Sequence, residues 1–380
     1  MYTITFGGWY QRTTLHLTEI FNFLASGETS LDLDKNKILK LQENLEIVDV
    51  SREVDYLEYV KVNIKNGMEI RYYEDGLYIL EIDSKDPVEA KILLEKYFEE
   101  KLNPSMVYIF SLGAPTPKIL ANIKLDHPIV ISTKSKKIEI DENIFGKIYS
   151  KIEADNMSVY KTPKYIFIRG TDENHVRALI EMQVFFREFK DQLERYLNIH
   201  RELWEEISEY KEKKVLSGKN IEEVRMKLDG YQKTINLIGS RINQMNVYVN
   251  TRSSIAKKLS LEENLSNIFQ YKFETLVDTH AYIKEIWNMT KDYLNTAIQV
   301  VLEAKNQSNA NTIQSLTLIT TIGVVSGIIG YLSKDQFPKI TLIGMYYYLI
   351  LIILTWLINK MVSIAANNKK YKLKFSSIET

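Results

Sequence analysis

The chain has 380 residues, with 49 Lys+Arg balanced by 49 Asp+Glu, so its formal net charge is zero. That balance excludes a globally basic nucleic-acid binder or an acidic solvating tail as the main reading. Cysteine is absent, which excludes disulfides, zinc-thiolate sites, Fe–S clusters and cysteine nucleophiles.

Residues 1–171 alternate short strands with helices and are expected to form one α+β domain. TITF reads as a strand and RTTLHLTEIFNFLA as a helix. LEIVDV, YVKVNI, MEIRYYE and LYILEID follow as strands, separated by the turn signals Asn66-Gly67 and Asp75-Gly76. Asp86-Pro87 opens a helix through VEAKILLEKYFEEKL, with proline in its first turn. VYIFSL reads as a short buried strand broken by GAPTP at 113–117, and IVIST, KIEI, SVYK and YIFIR add further strands.

From Asp172 the hydrophobic period becomes helical. Residues 172–252 are expected to form two long antiparallel helices that meet at Ser217-Gly218. The second carries a coiled-coil-like seam through Val224, Leu228, Tyr231, Ile235, Ile238, Ile242, Met245 and Val249. A stalk helix is expected over 253–312, continuous from about 255 into the apolar stretch that follows.

Two charge-free runs, IQSLTLITTIGVVSGIIGYL at 313–332 and ITLIGMYYYLILIILTWLIN from 340, are each about 20 residues, roughly the thickness of bilayer hydrocarbon. The expectation is a two-helix transmembrane hairpin, with spans over 313–332 and 340–362 and an external loop at 333–339. The lysine-rich tail, 363–380, belongs in the cytosol by the positive-inside rule. MYTITFGGWY has no signal-peptide pattern, so both termini are expected to be cytoplasmic in a multi-pass cell-membrane protein.

This order of elements resembles the CorA-type divalent-cation transporters over about 170–375, and Leu316-Thr317-Leu318-Ile319-Thr320-Thr321-Ile322 resembles the opening of that family's pore helix. The resemblance implies a homo-oligomer, a pentamer in that family, which passes ions passively through a ring of first spans in the lipid bilayer. It implies Mg²⁺ or another divalent cation as the ion and as a regulatory ligand. The family's Gly-Met-Asn signature is absent; alternative alignments put Gly330-Tyr331-Leu332 or Lys334-Asp335-Gln336 in its place. Magnesium selectivity therefore does not carry over.

In such a ring the pore-lining positions would be Ile313, Leu316, Thr320, Gly323, Val324, Gly327 and Tyr331, with Lys334, Asp335 and Gln336 at the mouth. The glycines equally suit tight helix packing, and the lysines equally suit lipid headgroups. Regulatory metal ligands would be Asp83, Asp86 and Asp278, carboxylates of the kind that suits Mg²⁺. The segment FGGWYQRTT joins a strand to a helix, and Gly7, Gly8, Arg12 and Thr13 could hold an anion such as a nucleotide phosphate. The alternative function is thus a membrane-anchored, nucleotide-sensing effector whose pore has altered selectivity; a purely structural coiled-coil anchor is the third reading. No nucleophile–base pair or carboxylate dyad emerges, so the sequence does not point to an enzyme.

Overall fold

The computed structural model describes all residues except 12–14, 112–127, 134–139, 155–156, 213–214, 333–341, 369 and 373–380. In chain order the elements are β1 (Tyr2–Trp9), α1 (Leu17–Ser26), α2 (Lys35–Asn44), β2 (Ile47–Val54), β3 (Glu58–Ile64), β4 (Glu69–Tyr73), β5 (Leu77–Ser84) and α3 (Pro87–Tyr97). A π-helical turn (Phe98–Leu102) leads into α4 (Asn103–Phe110), β6 (Ile129–Thr133), α5 (Glu142–Phe145), β7 (Ser150–Ala154), β8 (Met157–Lys161) and β9 (Tyr165–Gly170). The remainder is α6 (Glu173–Glu212), β10 (Val215–Ser217), α7 (Gly218–Lys258), α8 (Glu262–Phe269), α9 (Phe273–Leu332), α10 (Leu342–Asn368) and β11 (Lys370–Lys372).

The larger sheet has nine strands in the order β2-β3-β4-β5-β1-β6-β9-β8-β7. All its pairings are antiparallel except β6–β9. Gly67 (φ 81°) and Gly76 (φ 91°) take the left-handed conformation that the β3–β4 and β4–β5 turns require. At Gly76 space is equally decisive, since a Cβ there would lie 1.9 Å from the Tyr10 carbonyl oxygen. Asp34 and Asp86 cap α2 and α3, each accepting from two backbone N–H groups of the first turn. One face of the sheet packs Ile4, Val60, Val62, Leu80 and Ile131 against Ile20, Phe23, Leu94 and Met106 of the short helices.

VYIFSL is not a strand: Val107 to Phe110 close α4, whose Pro104 sits in the first turn and whose Met106 and Ile109 are buried. A four-residue apolar run fits a buried strand or a buried helical turn equally well, and packing on the core decides here. The α7 seam is buried at Val224, Leu228, Ile235, Ile238, Ile242, Met245 and Val249.

The stalk helix does not begin near 255. α7 runs on to Lys258, α8 intervenes, and α9 starts at Phe273. Ser260 (φ 58°) and Gln270 (φ 60°) make the two breaks as left-handed non-glycine residues.

The chain divides into two compact units, one of residues 1–197 with 238–285 and one of 198–237 with 286–380. In the second, β10 pairs with β11 at Val215–Lys372 and Ser217–Lys370, so part of the lysine-rich tail is a strand. There Trp204 stacks on Tyr293 at 4.2 Å, and Lys305 bonds Glu222 at 2.6 Å.

The transmembrane hairpin is corrected. Among the described residues, no helix is long and apolar enough to cross a membrane. In α9 the apolar positions beyond Ile313 are interrupted by Gln314, Thr317, Thr320, Thr321, Gly323, Ser326 and Gly327. The expected spans 313–332 and 340–362, and the multi-pass placement in the cell membrane built on them, are therefore not borne out among the described residues.

Candidate ligand-binding pocket

The first unit is fastened by charges buried where helices meet the sheet. Arg252 of α7 is 0 % exposed, and its Nε and Nη2 donate to the two carboxylate oxygens of Asp75 at 2.5 and 3.0 Å. Tyr56, Tyr73 and Phe185 place their rings 5.0–5.6 Å from the guanidinium carbon. Burial opposes the Arg252 charge, but Asp75 outweighs it and holds the group protonated. Beside it Arg71 of β4, also buried, bonds Glu69 at 2.6 Å and Glu81 at 2.8 Å and lies 3.3 Å from Glu181 of α6. Tyr56 donates its hydroxyl to Glu181.

Immediately after Arg252, α7 begins to line a pocket of ≈ 580 Å³. Asn250, Ser253, Ser254 and Lys257 come from the end of α7, Glu262, Leu265 and Ser266 from α8, and Lys272, Phe273, Glu274 and Leu276 from the start of α9, with Phe186 and Tyr271 behind. The volume lies in the range of small-molecule sites. The ring of Tyr271 is 6.3 Å from that of Phe186 and 6.3 Å from that of Phe269. Burial, first of all, raises the Tyr271 hydroxyl above its ordinary pKa, so it stays neutral.

Two left-handed residues, Ser260 and Gln270, bracket the α8 wall. Lys161 of β8 donates to the Ile268 carbonyl at 2.5 Å and lies over the Phe269 ring at 5.0 Å. Its amine is partly desolvated, which lowers its pKa. Asn264 bonds His175 at 3.0 Å. The α8 wall is thereby tied to β8 and α6 by side chains at both ends.

The pocket can hold an anion next to a ring. The first turn of α9 lines it, bringing the positive end of a 60-residue helix to the site. Lys257 and Lys272 are exposed, and neither makes an ion pair among the described residues. Three serines supply hydroxyls, and Tyr271, Phe273 and Phe186 supply ring faces.

The residues singled out from sequence fall elsewhere. Gly7 and Gly8 lie inside β1, paired with Ile79 and Tyr78 of β5. A Cβ on Gly7 would stand 2.7 Å from Ile79 Cδ1, and one on Gly8 2.3 Å from the Tyr78 hydroxyl oxygen. These glycines permit close packing and leave no open cradle; Arg12 and Thr13 lie outside the described residues. Asp83 accepts from the Thr3 hydroxyl at 2.6 Å, Asp86 caps α3, and Asp278 is exposed on α9. Among the described residues, no group of three or more His, Asp or Glu is placed to hold a metal ion.

Of the supposed pore-lining set, Ile313, Thr320, Gly323, Val324 and Gly327 are exposed on α9 and Leu316 is half-buried. The Thr320 hydroxyl donates to the Leu316 carbonyl of its own helix at 2.6 Å. Tyr331 belongs to α9, and Lys334, Asp335 and Gln336 lie outside the described residues.

Sequence reasoning missed the pocket because its walls, nearly all within residues 250–276, meet at breaks that contain no glycine or proline. The polar interruption Lys257-Lys258-Leu259-Ser260 in the apolar pattern was the available signal. No protein-family description, curated protein or solved structure matches the chain.

Proposed function

We propose that the chain is a nucleotide-binding sensor whose site is the pocket where α7, α8 and α9 meet. The observation that carries this reading is the pocket itself: ≈ 580 Å³, lined by Lys257, Lys272, three serines, aromatic rings and a long helix's N-terminal turn. The lysines and the helix end suit phosphate oxygens, and Tyr271 or Phe273 gives a base a surface to stack on. Glu262 and Glu274 at the same rim favour a ligand that also carries hydrogen-bond donors, such as an exocyclic amine. A panel of mono-, di- and triphosphates tests it by thermal shift. At least one nucleotide raises Tm, and Lys257→Ala with Lys272→Ala abolishes the rise. No rise with any nucleotide in the panel refutes the reading.

Self-association is the second part of the proposal, and exposed apolar side chains on α9 and α10 support it. Ile313 is 64 % exposed and Met361 70 %, with Leu318, Val325, Leu349 and Trp356 also exposed. Patches of this kind mark interaction surfaces, and copies of the same chain are the occupant proposed. Sedimentation of the full chain then shows an oligomer, which Leu318→Gln with Val325→Gln dissociates; a monomer at every concentration refutes this part. Passive ion flux and the pore of altered selectivity rested on the hairpin and form no part of the proposal.

A further inference from the structure

We propose that β7, an edge of the nine-stranded sheet, docks β7 of a second copy of the chain, the two strands pairing antiparallel about a two-fold axis at Ile152. Among the described residues the sheet ends at β2 on one side and at β7 on the other. An unpaired edge presents a row of backbone N–H and C=O groups that another strand can take up.

Parity decides which groups of β7 point outward. Thr162, the residue after β8, donates its N–H to the Tyr165 carbonyl at 2.8 Å and so faces β9. Successive residues of a strand turn their backbone groups to opposite sides. Lys161, Val159 and Met157 therefore face β7, and the Lys161 carbonyl does accept from the Tyr149 N–H at 3.0 Å. Their partners across the ladder are Ser150, Ile152 and Ala154. The outward N–H and C=O groups of β7 are then those of Lys151 and Glu153, whose side chains are exposed.

A ladder forms only where outward groups meet outward groups. Centred on Lys151, a two-fold pairing sets lysine against lysine; centred on Glu153, it sets glutamate against glutamate. Centred on Ile152, it sets Lys151 of each copy against Glu153 of the other and pairs the whole strand from Ser150 to Ala154. Opposite charges directly across strands stabilise a pair, and like charges oppose it. Within one copy Lys151 and Glu153 lie 3.1 Å apart, so the pairing closes a ring of alternating charge. The Tyr160 hydroxyl donates to Glu153 at 2.5 Å and Lys151 lies over that ring at 5.4 Å, which holds both charges on one face beforehand.

The opposite edge lacks this match. The Ile64 N–H donates to the Met68 carbonyl, so by the same parity Val50, Arg52 and Val54 carry the outward groups of β2. A two-fold register centred on Arg52 opposes two arginines, and one centred on Ser51 opposes Asp49 to Glu53. One centred on Val50 runs into the bulge between Ile47 and Asp49. The β7 edge accepts its own copy, and the β2 edge does not.

Cysteine crosslinking tests the register directly, because the chain has no thiol of its own. On the axis, Ile152→Cys meets its counterpart at a Cα separation of about 4.5 Å, within the span of a disulfide. Copper–phenanthroline oxidation of the full chain is expected to give covalent dimer with Ile152→Cys, and to do so about tenfold more slowly with Glu153→Cys, whose thiols are out of register. Lys151→Glu on the Ile152→Cys chain should slow the reaction about tenfold, since both cross-strand pairs turn repulsive, and Lys151→Glu with Glu153→Lys should restore it. The same series on a chain that also carries Leu318→Gln and Val325→Gln reads this edge apart from the contact proposed on α9 and α10, and the covalent dimer should persist there. In the parent chain, the N–H groups of Lys151 and Glu153 should gain protection from exchange as protein concentration rises. The proposal is overturned if Ile152→Cys and Glu153→Cys crosslink equally, if charge reversal has no effect or the exchanged pair does not restore the rate, or if those two N–H groups stay unprotected at every concentration. Crosslinking that vanishes with Leu318→Gln and Val325→Gln overturns it as well.

Discussion

Replacing Asp75 by Asn is the sharpest probe of how the first unit is held together. The substitution keeps size and shape but leaves the Arg252 guanidinium, at 0 % exposure, without its counter-charge. Breaking a buried pair from one side costs about 3–5 kcal/mol, because the remaining ion stays desolvated. Two features of this site set where in the range the value falls. Three aromatic rings around Arg252 still offer cation–π attraction, which softens the loss. Asp75 also accepts from the Leu77 backbone N–H at 3.1 Å, a bond that Asn retains through its own oxygen. The lower half, about 3 kcal/mol, is therefore expected. At roughly 2–4 °C per kcal/mol for a unit of this size, Tm falls by about 6–12 °C. Calorimetry on Asp75→Asn, Arg252→Met and the double variant provides the assay. The double variant should lose less than the sum of the singles by at least about 2 kcal/mol. Additive losses would show that the two charges do not stabilise each other, and the reasoning would fail.

Gly76→Ala should cost at least about 2 kcal/mol, since φ is 91° and the new Cβ would meet the Tyr10 carbonyl oxygen at 1.9 Å; Gly67→Ala, with open space at its Cβ, should cost less, and urea unfolding ranks the two. Lys161→Met should leave the sheet folded but raise amide exchange in α8 about tenfold, the loss of one charge-assisted bond to the Ile268 carbonyl; unchanged exchange would mean that Lys161 does not tie the wall. Burial lowers the pKa of His200 and His280, so the folded state takes up fewer protons than the unfolded chain. Stability should therefore fall as pH drops below about 6.5, the unfolded value. His280, whose Nε2 donates to the Ile242 carbonyl at 2.6 Å, should account for part of that slope, and His280→Gln should flatten it in melts between pH 7 and 5.

Much of the sheet was legible because its signals are local. Asn66-Gly67 and Asp75-Gly76 sit where the backbone must turn left-handed, and Asp86-Pro87 announces α3 through its cap and its fixed φ. The α7 seam was legible because burial on one face repeats every three to four residues. What failed depended on tertiary context. α4 reads as a strand because a short apolar run carries no period. The break between α7 and α9 is made by Ser260 and Gln270, which carry no left-handed signature in sequence. The C-terminal runs suggested spans by their length and lack of charge, whereas no described helix is long and apolar enough to cross a membrane. Arg252 and Asp75 are 177 residues apart, so nothing local couples them. Gly7 and Gly8 looked like a phosphate turn, but the strand needs them so that Tyr78 and Ile79 can pack.

The absence of cysteine from the chain makes the pocket directly measurable. Ser266→Cys places a single thiol in its α8 wall, and the rate of maleimide labelling then reports whether the pocket is occupied. Adding a panel of nucleotides should slow that labelling in a saturable way for at least one of them, and Tyr271→Ala should weaken the protection. A labelling rate unchanged by every nucleotide at millimolar concentration would contradict the account.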